Sequence, residues 1–169
     1  MRRGNSSRSS ETVIRRATIV AVGKLKGWAD EGCEDYAARL RRYFPVDIVE
    51  VAEEDMNRRS RQEVLSAEGE RLLKKLPGGA HTVALDRESG RQVSSEKLAS
   101  RLESLGTSGA SHVAFLLGGP LGLSEEALAA ADERWSFGAA TLPHALARVV
   151  LLEQLYRGVK IGRGEKYHW

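Results

Sequence analysis

Cysteine is almost absent from this chain of 169 residues, in which Cys33 stands alone. A single cysteine cannot form an internal disulfide, and it cannot build a metal site that needs several thiolates. Disulfide-rich secreted scaffolds are therefore excluded, and we expect a protein of the reducing cytoplasm. The sequence also shows no cluster of metal ligands, so no metal is expected.

Long apolar runs are missing as well. None approaches the ~18 consecutive apolar residues that a membrane-spanning helix needs, so we expect no membrane partner. The N-terminal segment lacks the apolar core of a secretory signal. With 41% hydrophobic and 29% charged residues, the composition is that of an ordinary globular protein, and its length predicts one domain.

Charge is unevenly distributed, although the net charge is only +3. Residues 1–16 carry five arginines and one glutamate, residues 17–143 carry 16 basic and 20 acidic residues, and residues 144–169 carry five basic and two acidic residues. We therefore expect a nucleic-acid partner to meet the C-terminal segment, with the basic N-terminal residues as a second place of contact, rather than the net acidic core. We expect residues 1–16 to be a disordered basic arm and residues 17–169 to form the single domain.

Strand and helix patterns alternate from residue 17 onward. Short apolar runs predict strands, and apolar residues at helical spacing predict helices. The predicted strands are residues 17–23, 46–52, 81–85, 113–117 and 135–137, and the predicted helices are residues 28–43, 61–76, 95–105 and 143–161, with a short helix capped by Ser124. This alternation predicts an α/β fold with a mostly parallel sheet.

Ligands of such sheets bind beyond the carboxyl ends of the strands, which directs attention to the segments after Leu85, Leu117 and Phe137. Residues 118–122 (GGPLG) begin with two glycines that let the backbone approach a ligand closely, although a tight turn would need glycine too. Their spacing is not that of a pyrophosphate loop, which favours an uncharged or zwitterionic ligand. Small residues in the segment 138–142 suit a loop that lies flat against a ligand.

The last predicted helix and the residues after it contain the most unusual side chains. Arg148 falls within an apolar stripe, so it needs an anionic or carbonyl partner within the chain, at an interface or on a substrate. The C-terminal residues combine two cations with Tyr167, His168 and Trp169. Aromatic side chains stack on bases, and histidine and tyrosine transfer protons. A solvated terminus is the alternative.

These motifs together resemble the RlmH (YbeA-like) family of SPOUT methyltransferases, which methylate N3 of a pseudouridine in bacterial large-subunit (23S) rRNA. The likeness covers roughly residues 17–168. It rests on AVGKLK (21–26), TVALD (82–86), FLLGGPLGLS (115–124), WSFGAATLPHALARVVLLEQLYRG (135–158) and GEKYH (164–168). The last two stretches together are highly specific, whereas GGPLG alone is not.

The resemblance implies an α/β-knot fold, in which the C-terminal region forms a trefoil knot. True knots are almost absent among folds, so no general topology rule leads to one. It also implies that S-adenosylmethionine, the methyl donor, binds in a bent conformation against the knot. By position, the implied cofactor contacts are Leu85, Gly118, Phe137, Gly138, Ala139, Ala140, Thr141 and Leu142.

The resemblance further implies a homodimer whose interface includes the last helix, a place for Arg148, and the assembled ribosome as substrate. Methyl transfer needs alignment of the reacting atoms, and N3 of pseudouridine must lose its proton. Arg148, Tyr167 and His168 are the candidate catalytic residues, and the resemblance does not decide between them. Two alternatives stay open: a knotted RNA methyltransferase with another target nucleotide, and a noncatalytic ribosome-binding factor.

Overall fold

A computed structural model describes residues 13–167 and shows one sheet of six parallel strands. The strands are β1 (Arg16–Val22), β2 (Val46–Val51), β3 (His81–Leu85), β4 (Arg91–Gln92), β5 (His112–Leu117) and β6 (Glu133–Ser136). They lie in the order β2-β1-β5-β3-β6-β4, and every neighbouring pair is parallel. Their carboxyl ends therefore share one edge of the sheet, where ligands of such folds bind.

Five helices cover the two faces of the sheet. They are α1 (Trp28–Leu40), α2 (Arg61–Lys75), α3 (Ser95–Thr107), α4 (Glu125–Ala130) and α5 (His144–Gly162). Helices α1 and α3 both pack against α5 on one face, and α2 packs against α4 on the other. Within residues 13–167, no helix combines the length and the apolar character that crossing a membrane requires.

Strand β5 is central and is buried on both faces. Phe115 belongs to the core beneath α1, α3 and α5, and the next residue, Leu116, belongs to the core beneath α2 and α4. Both residues are 0% exposed. Because successive side chains of a strand point to opposite faces, a strand covered on both sides must be apolar throughout, as the run VAFLL is.

Serine side chains begin three of the helices. Ser60 and Glu63 form a capping box at α2, in which each side chain accepts a hydrogen bond from the backbone N–H of the other. The Ser94 hydroxyl accepts from the N–H of Lys97, and the Ser124 hydroxyl accepts from that of Ala127. Each cap satisfies a backbone donor that the first helical turn leaves free.

The predicted α/β architecture is confirmed, and each predicted strand and helix is present with ends shifted by three residues or fewer. The two-residue strand β4 was not predicted, because Arg91 and Gln92 are exposed polar residues without an apolar pattern. The predicted disordered arm was also too long. Ile14 is buried in the core, and the N–H of Arg15 donates to the Ser111 carbonyl at 2.7 Å. The rest of the arm, residues 1–12, lies outside the described residues.

Candidate cofactor site

A cavity of about 950 Å³ lies at the carboxyl edge of the sheet. It is bounded by the residues that follow β3, β5 and β6 and by the first turn of α5. These are the three strand ends that the sequence singled out. Its volume lies within the roughly 300–1,000 Å³ typical of small-molecule sites.

The segment 118–122, called the glycine loop below, forms one wall of the cavity. It closes on itself through an antiparallel bridge, in which the N–H of Gly122 donates to the Gly119 carbonyl at 3.0 Å. A Cβ atom at Gly118 would overlap the Gly122 carbonyl group. The tight turn therefore requires glycine at position 118, and the same turn brings backbone to the cavity surface.

The segment 137–142, called the small-residue loop below, forms the opposite wall. The Ser136 hydroxyl accepts from the N–H of Gly138, whose φ of +122° favours glycine. Among the described residues, no group accepts a hydrogen bond from the N–H groups of residues 139–142. Backbone donors are thus left for a ligand beside a surface made of small side chains.

Seven of the eight predicted cofactor contacts line this cavity. They are Leu85, Gly118, Phe137, Gly138, Ala140, Thr141 and Leu142. Ala139 does not line it, and the Ala139 carbonyl accepts a hydrogen bond from Arg87 Nη1 at 3.4 Å. Contact between these residues and a bound cofactor remains a prediction.

The cavity also has charged and titratable lining residues that the sequence reasoning did not select. Asp86 directly follows β3, Arg134 lies within β6, and His144 begins α5. The Asp86 carboxylate accepts from the N–H of Ser89 at 2.8 Å, which fixes the turn after β3. The signal that marks Asp86 and His144 in the sequence is their place directly after a strand and directly after Pro143.

Arg148 lies inside the chain and not on the cavity wall. Its side chain is 2% exposed, and Nη1 donates to Glu50 Oε2 at 2.6 Å. Nη2 donates to the carbonyls of Gly23 at 2.9 Å and Val22 at 3.3 Å. The sequence predicts an anionic or carbonyl partner for Arg148. The structure shows one carboxylate and two carbonyls as its partners, all within the same chain.

Glu50 is held in its charged form by this arrangement. Burial raises the pKa of the Glu50 carboxyl. Hydrogen bonds from the N–H of Leu25 and from Arg148 together outweigh this effect, so the pKa lies below its ordinary value. The pair of Glu50 and Arg148 thus ties the end of β1, the start of the following loop and α5 together.

Tyr167 follows α5 and packs back against it, away from the cavity of its own chain. Its hydroxyl donates to Glu153 Oε1 at 2.7 Å, and its ring packs edge-on against Tyr156 and beneath the guanidinium of Arg157. Burial and the hydrogen bond to Glu153 raise the pKa of the Tyr167 hydroxyl. The third predicted catalytic residue, His168, lies outside the described residues.

These features define a class of protein. A fully parallel α/β sheet carries, at its carboxyl edge, a small-molecule cavity between a glycine loop and a small-residue loop. Residues 16–168 match the model of a family described as predicted SPOUT methyltransferase. The chain belongs to this SPOUT methyltransferase family, whose methyl donor is S-adenosylmethionine, and the predicted fold class and recognition are confirmed.

Individual relatives agree with this assignment. A protein of Rubrobacter xylanophilus named ribosomal RNA large subunit methyltransferase H is 70% identical over 158 residues, which cover 93% of this chain and 100% of that protein. Proteins of the same name from Alkaliphilus oremlandii and Acetivibrio thermocellus are 44% and 46% identical and cover 89% and 90% of this chain and 98% and 99% of their own lengths.

A solved structure shares the fold. The crystal structure of a probable methyltransferase from Bordetella pertussis aligns with a TM-score of 0.51 over 86% of this chain and 96% of that chain, at 18% identity. Such low identity shows a shared fold and nothing about substrate.

Proposed function

We propose that the protein methylates N3 of a pseudouridine in 23S rRNA, using S-adenosylmethionine, on the assembled ribosome. The observation that carries the proposal is the cavity between two backbone-rich loops in a chain whose 70% identical relative is a ribosomal RNA large subunit methyltransferase H along its whole length. The net basic C-terminal segment adds a means of attraction to RNA.

The described residues suit the proposed cofactor. Leu85, Leu142 and Phe137 offer apolar surface for an adenine ring, and the N–H groups of the small-residue loop offer donors for polar atoms. Bound S-adenosylmethionine would supply an electrophilic methyl group on a sulfonium. Within residues 13–167, no group of three or more potential metal ligands was found.

For the chain's own residues, the chemical task is to place the base and to accept the proton of N3. Tyr167 has a raised pKa and keeps its proton, so we assign it a role in placing the base rather than in deprotonation. His168 is the proposed proton acceptor. Arg148 is proposed as a positioning residue, because it holds the carbonyl of Gly23, a residue that faces the His144 ring.

We further propose that the active form is a homodimer. The cavity reaches only as far along α5 as Ala147, whereas Tyr167 is bound to Glu153, six residues further and thus about 9 Å along the helix axis. Residues 163–167 do not line the cavity of their own chain. A second copy would bring them to it, and the half-buried Leu146, Val149 and Val150 of α5 offer apolar contact surface.

The test is methylation in vitro. The purified protein, labelled S-adenosylmethionine and ribosomes from a strain lacking this activity are expected to give one methyl group on N3 of a pseudouridine, mapped by mass spectrometry of 23S rRNA. Free 23S rRNA and separated subunits show which ribosomal state is the substrate. Light scattering at micromolar protein concentration reports the oligomeric state.

Other outcomes would replace the proposal. A methyl group on a different nucleotide would make the protein a knotted RNA methyltransferase with another target. Ribosome binding without any methyl transfer would favour the noncatalytic factor.

A further inference from the structure

Glu68 is a buried carboxyl group that the proposed chemistry does not use. It lies on α2 and is 2% exposed. Its Oε1 atom accepts a hydrogen bond from the N–H of Glu54 at 3.0 Å, but its Oε2 atom is buried and has no partner. A buried carboxylate oxygen without a partner is costly, so its presence needs an explanation.

The unpartnered oxygen lies directly beneath the glycine loop. A Cβ atom at Gly119 would be 3.2 Å from Glu68 Oε2 and 3.1 Å from the Val22 side chain, so the gap between the loop and these side chains is too narrow for a side chain at position 119. Gly119 itself is buried and lines the cavity. The Glu68 carboxyl group thus limits how closely the glycine loop can approach α2.

The next residue along α2 makes a second contact of the same kind. A Cβ atom at Gly69 would overlap the hydroxyl of Ser124, the residue that caps α4 just after the glycine loop. Helix α2 therefore supports the glycine loop from below at Gly119 and at its exit. Between these points, the loop has the internal bridge described above, and the Leu121 carbonyl accepts a hydrogen bond from Arg61 Nη2 of α2 at 3.5 Å.

We propose that Glu68 is a positioning residue for the cofactor site: its buried side chain supports the glycine loop at the position that keeps the cavity open. The inference rests on the proposed use of this cavity for S-adenosylmethionine. Glu68 does not line the cavity, so it acts through Gly119 and not by contact with a ligand.

The surroundings favour the neutral form of Glu68. Burial raises the pKa of its carboxyl group, and the nearby carboxylates of Glu53 and Glu54 raise it further, against the N–H of Glu54 and the guanidinium of Arg71. Gly119 and Val22, which lie on the side of the glycine loop, do not titrate. As the pH rises above this pKa, a charge would form beneath the loop and would favour an arrangement that admits water.

The experiment measures the Kd for S-adenosylmethionine by calorimetry with the full chain between pH 5.5 and 8.5. Glu68→Gln keeps the shape and cannot ionise, so we expect a Kd close to that of the wild-type protein at pH 5.5. Glu68→Ala removes the support, and we expect binding at least about tenfold weaker. Glu70→Gln is the matched control, because Glu70 is an exposed residue of the same helix paired with Lys74.

The ratio of the wild-type Kd to the Glu68→Gln Kd is expected to rise with pH, because only the wild-type protein can ionise at position 68. A constant ratio across this range, or equal binding by Glu68→Ala and the wild-type protein, would overturn the inference. Circular dichroism of Glu68→Ala shows whether weak binding comes from a displaced loop or from an unfolded chain. If Glu68→Gln binds as weakly as Glu68→Ala, the inference is also contradicted. Absence of binding by the wild-type protein would instead remove the proposed function.

Discussion

The ion pair of Arg148 and Glu50 allows a quantitative prediction, because its two members differ in exposure. Arg148 is 2% exposed, and Glu50 is 29% exposed. Loss of the negative charge at position 50 would leave a buried guanidinium without its anionic partner. Loss of the guanidinium would leave a carboxylate that water can reach and that still accepts from Leu25. We therefore expect Glu50→Gln to destabilise the fold more than Arg148→Met.

The magnitude follows from the cost of breaking buried ion pairs, which is ~3–5 kcal/mol when an uncompensated charge stays buried. Glutamine at position 50 can still accept from Leu25 and Arg148, so we expect the low end, about 3 kcal/mol, for Glu50→Gln. Methionine at position 148 fills similar space and removes an Nε donor that has no partner, so its cost should be about 1 kcal/mol. The double variant should cost less than the sum of the two single variants.

Urea denaturation followed by circular dichroism measures these changes, at one fixed protein concentration because a dimer would make stability concentration-dependent. For a chain of this length, 3 kcal/mol corresponds to a Tm lower by about 6–12 °C. Lys74→Gln serves as the control, since its i,i+4 partner Glu70 is exposed and solvent weakens such surface pairs.

The reverse order of the two single variants would refute the reasoning from exposure. Additive effects in the double variant would show that the two side chains are not coupled. A dimer that dissociates in Arg148→Met while each subunit keeps its stability would place Arg148 at an interface instead.

Three further predictions concern the cavity, the acid limit of stability and the C-terminal residues. Gly118→Ala should weaken S-adenosylmethionine binding by at least about tenfold, measured by calorimetry, because its Cβ would overlap Gly122; Gly78→Ala, with open space around it, is the control. Burial raises the pKa of Glu133, but hydrogen bonds from Arg101, Trp135 and His81 outweigh burial and lower the pKa to about 2. The ionised Glu133 therefore stabilises the fold above pH ~5, and this contribution is lost as the pH falls toward 2. The urea midpoint of Glu133→Gln should then change less between pH 5 and pH 3 than that of the wild-type protein. Deletion of residues 166–169 should leave cofactor binding within a fewfold and remove methylation of ribosomes; full activity would direct the search for the base to His144.

The fold was predictable because periodicity and caps act over short distances. The apolar run of β5 and the capping serine at position 124 each specify their element from neighbouring residues alone. Strand β4 was not predictable, because its pairing with β6 depends on where the chain after β3 returns. The knot came from family resemblance, since threading of a chain leaves no periodic signal.

The position of the cofactor site could be predicted from the topology of the sheet. Why glycine is required at positions 118 and 119 could not. Two glycines after a buried strand are equally consistent with a ligand and with a turn. The contacts show that Gly118 is required by Gly122 and that Gly119 is confined by Glu68. Glu68 and Gly119 are 51 residues apart in the sequence, so no local pattern links them.

The net charge of the C-terminal segment overstates its capacity to bind RNA, because some of its basic side chains form ion pairs with carboxylates of the same chain. Of the basic residues that make the C-terminal segment positive, Arg157 is paired with Glu153 and Lys160 with Glu165. Arg163 lies over the ring of Tyr43, and within residues 13–167 no carboxylate pairs with it or with Lys166. Counterion release scales with the number of phosphates that cations neutralise, so Arg163 and Lys166 should dominate the salt dependence of ribosome binding. Arg163→Gln should therefore reduce the slope of log affinity against log salt concentration by about 1, whereas Arg157→Gln should change it far less.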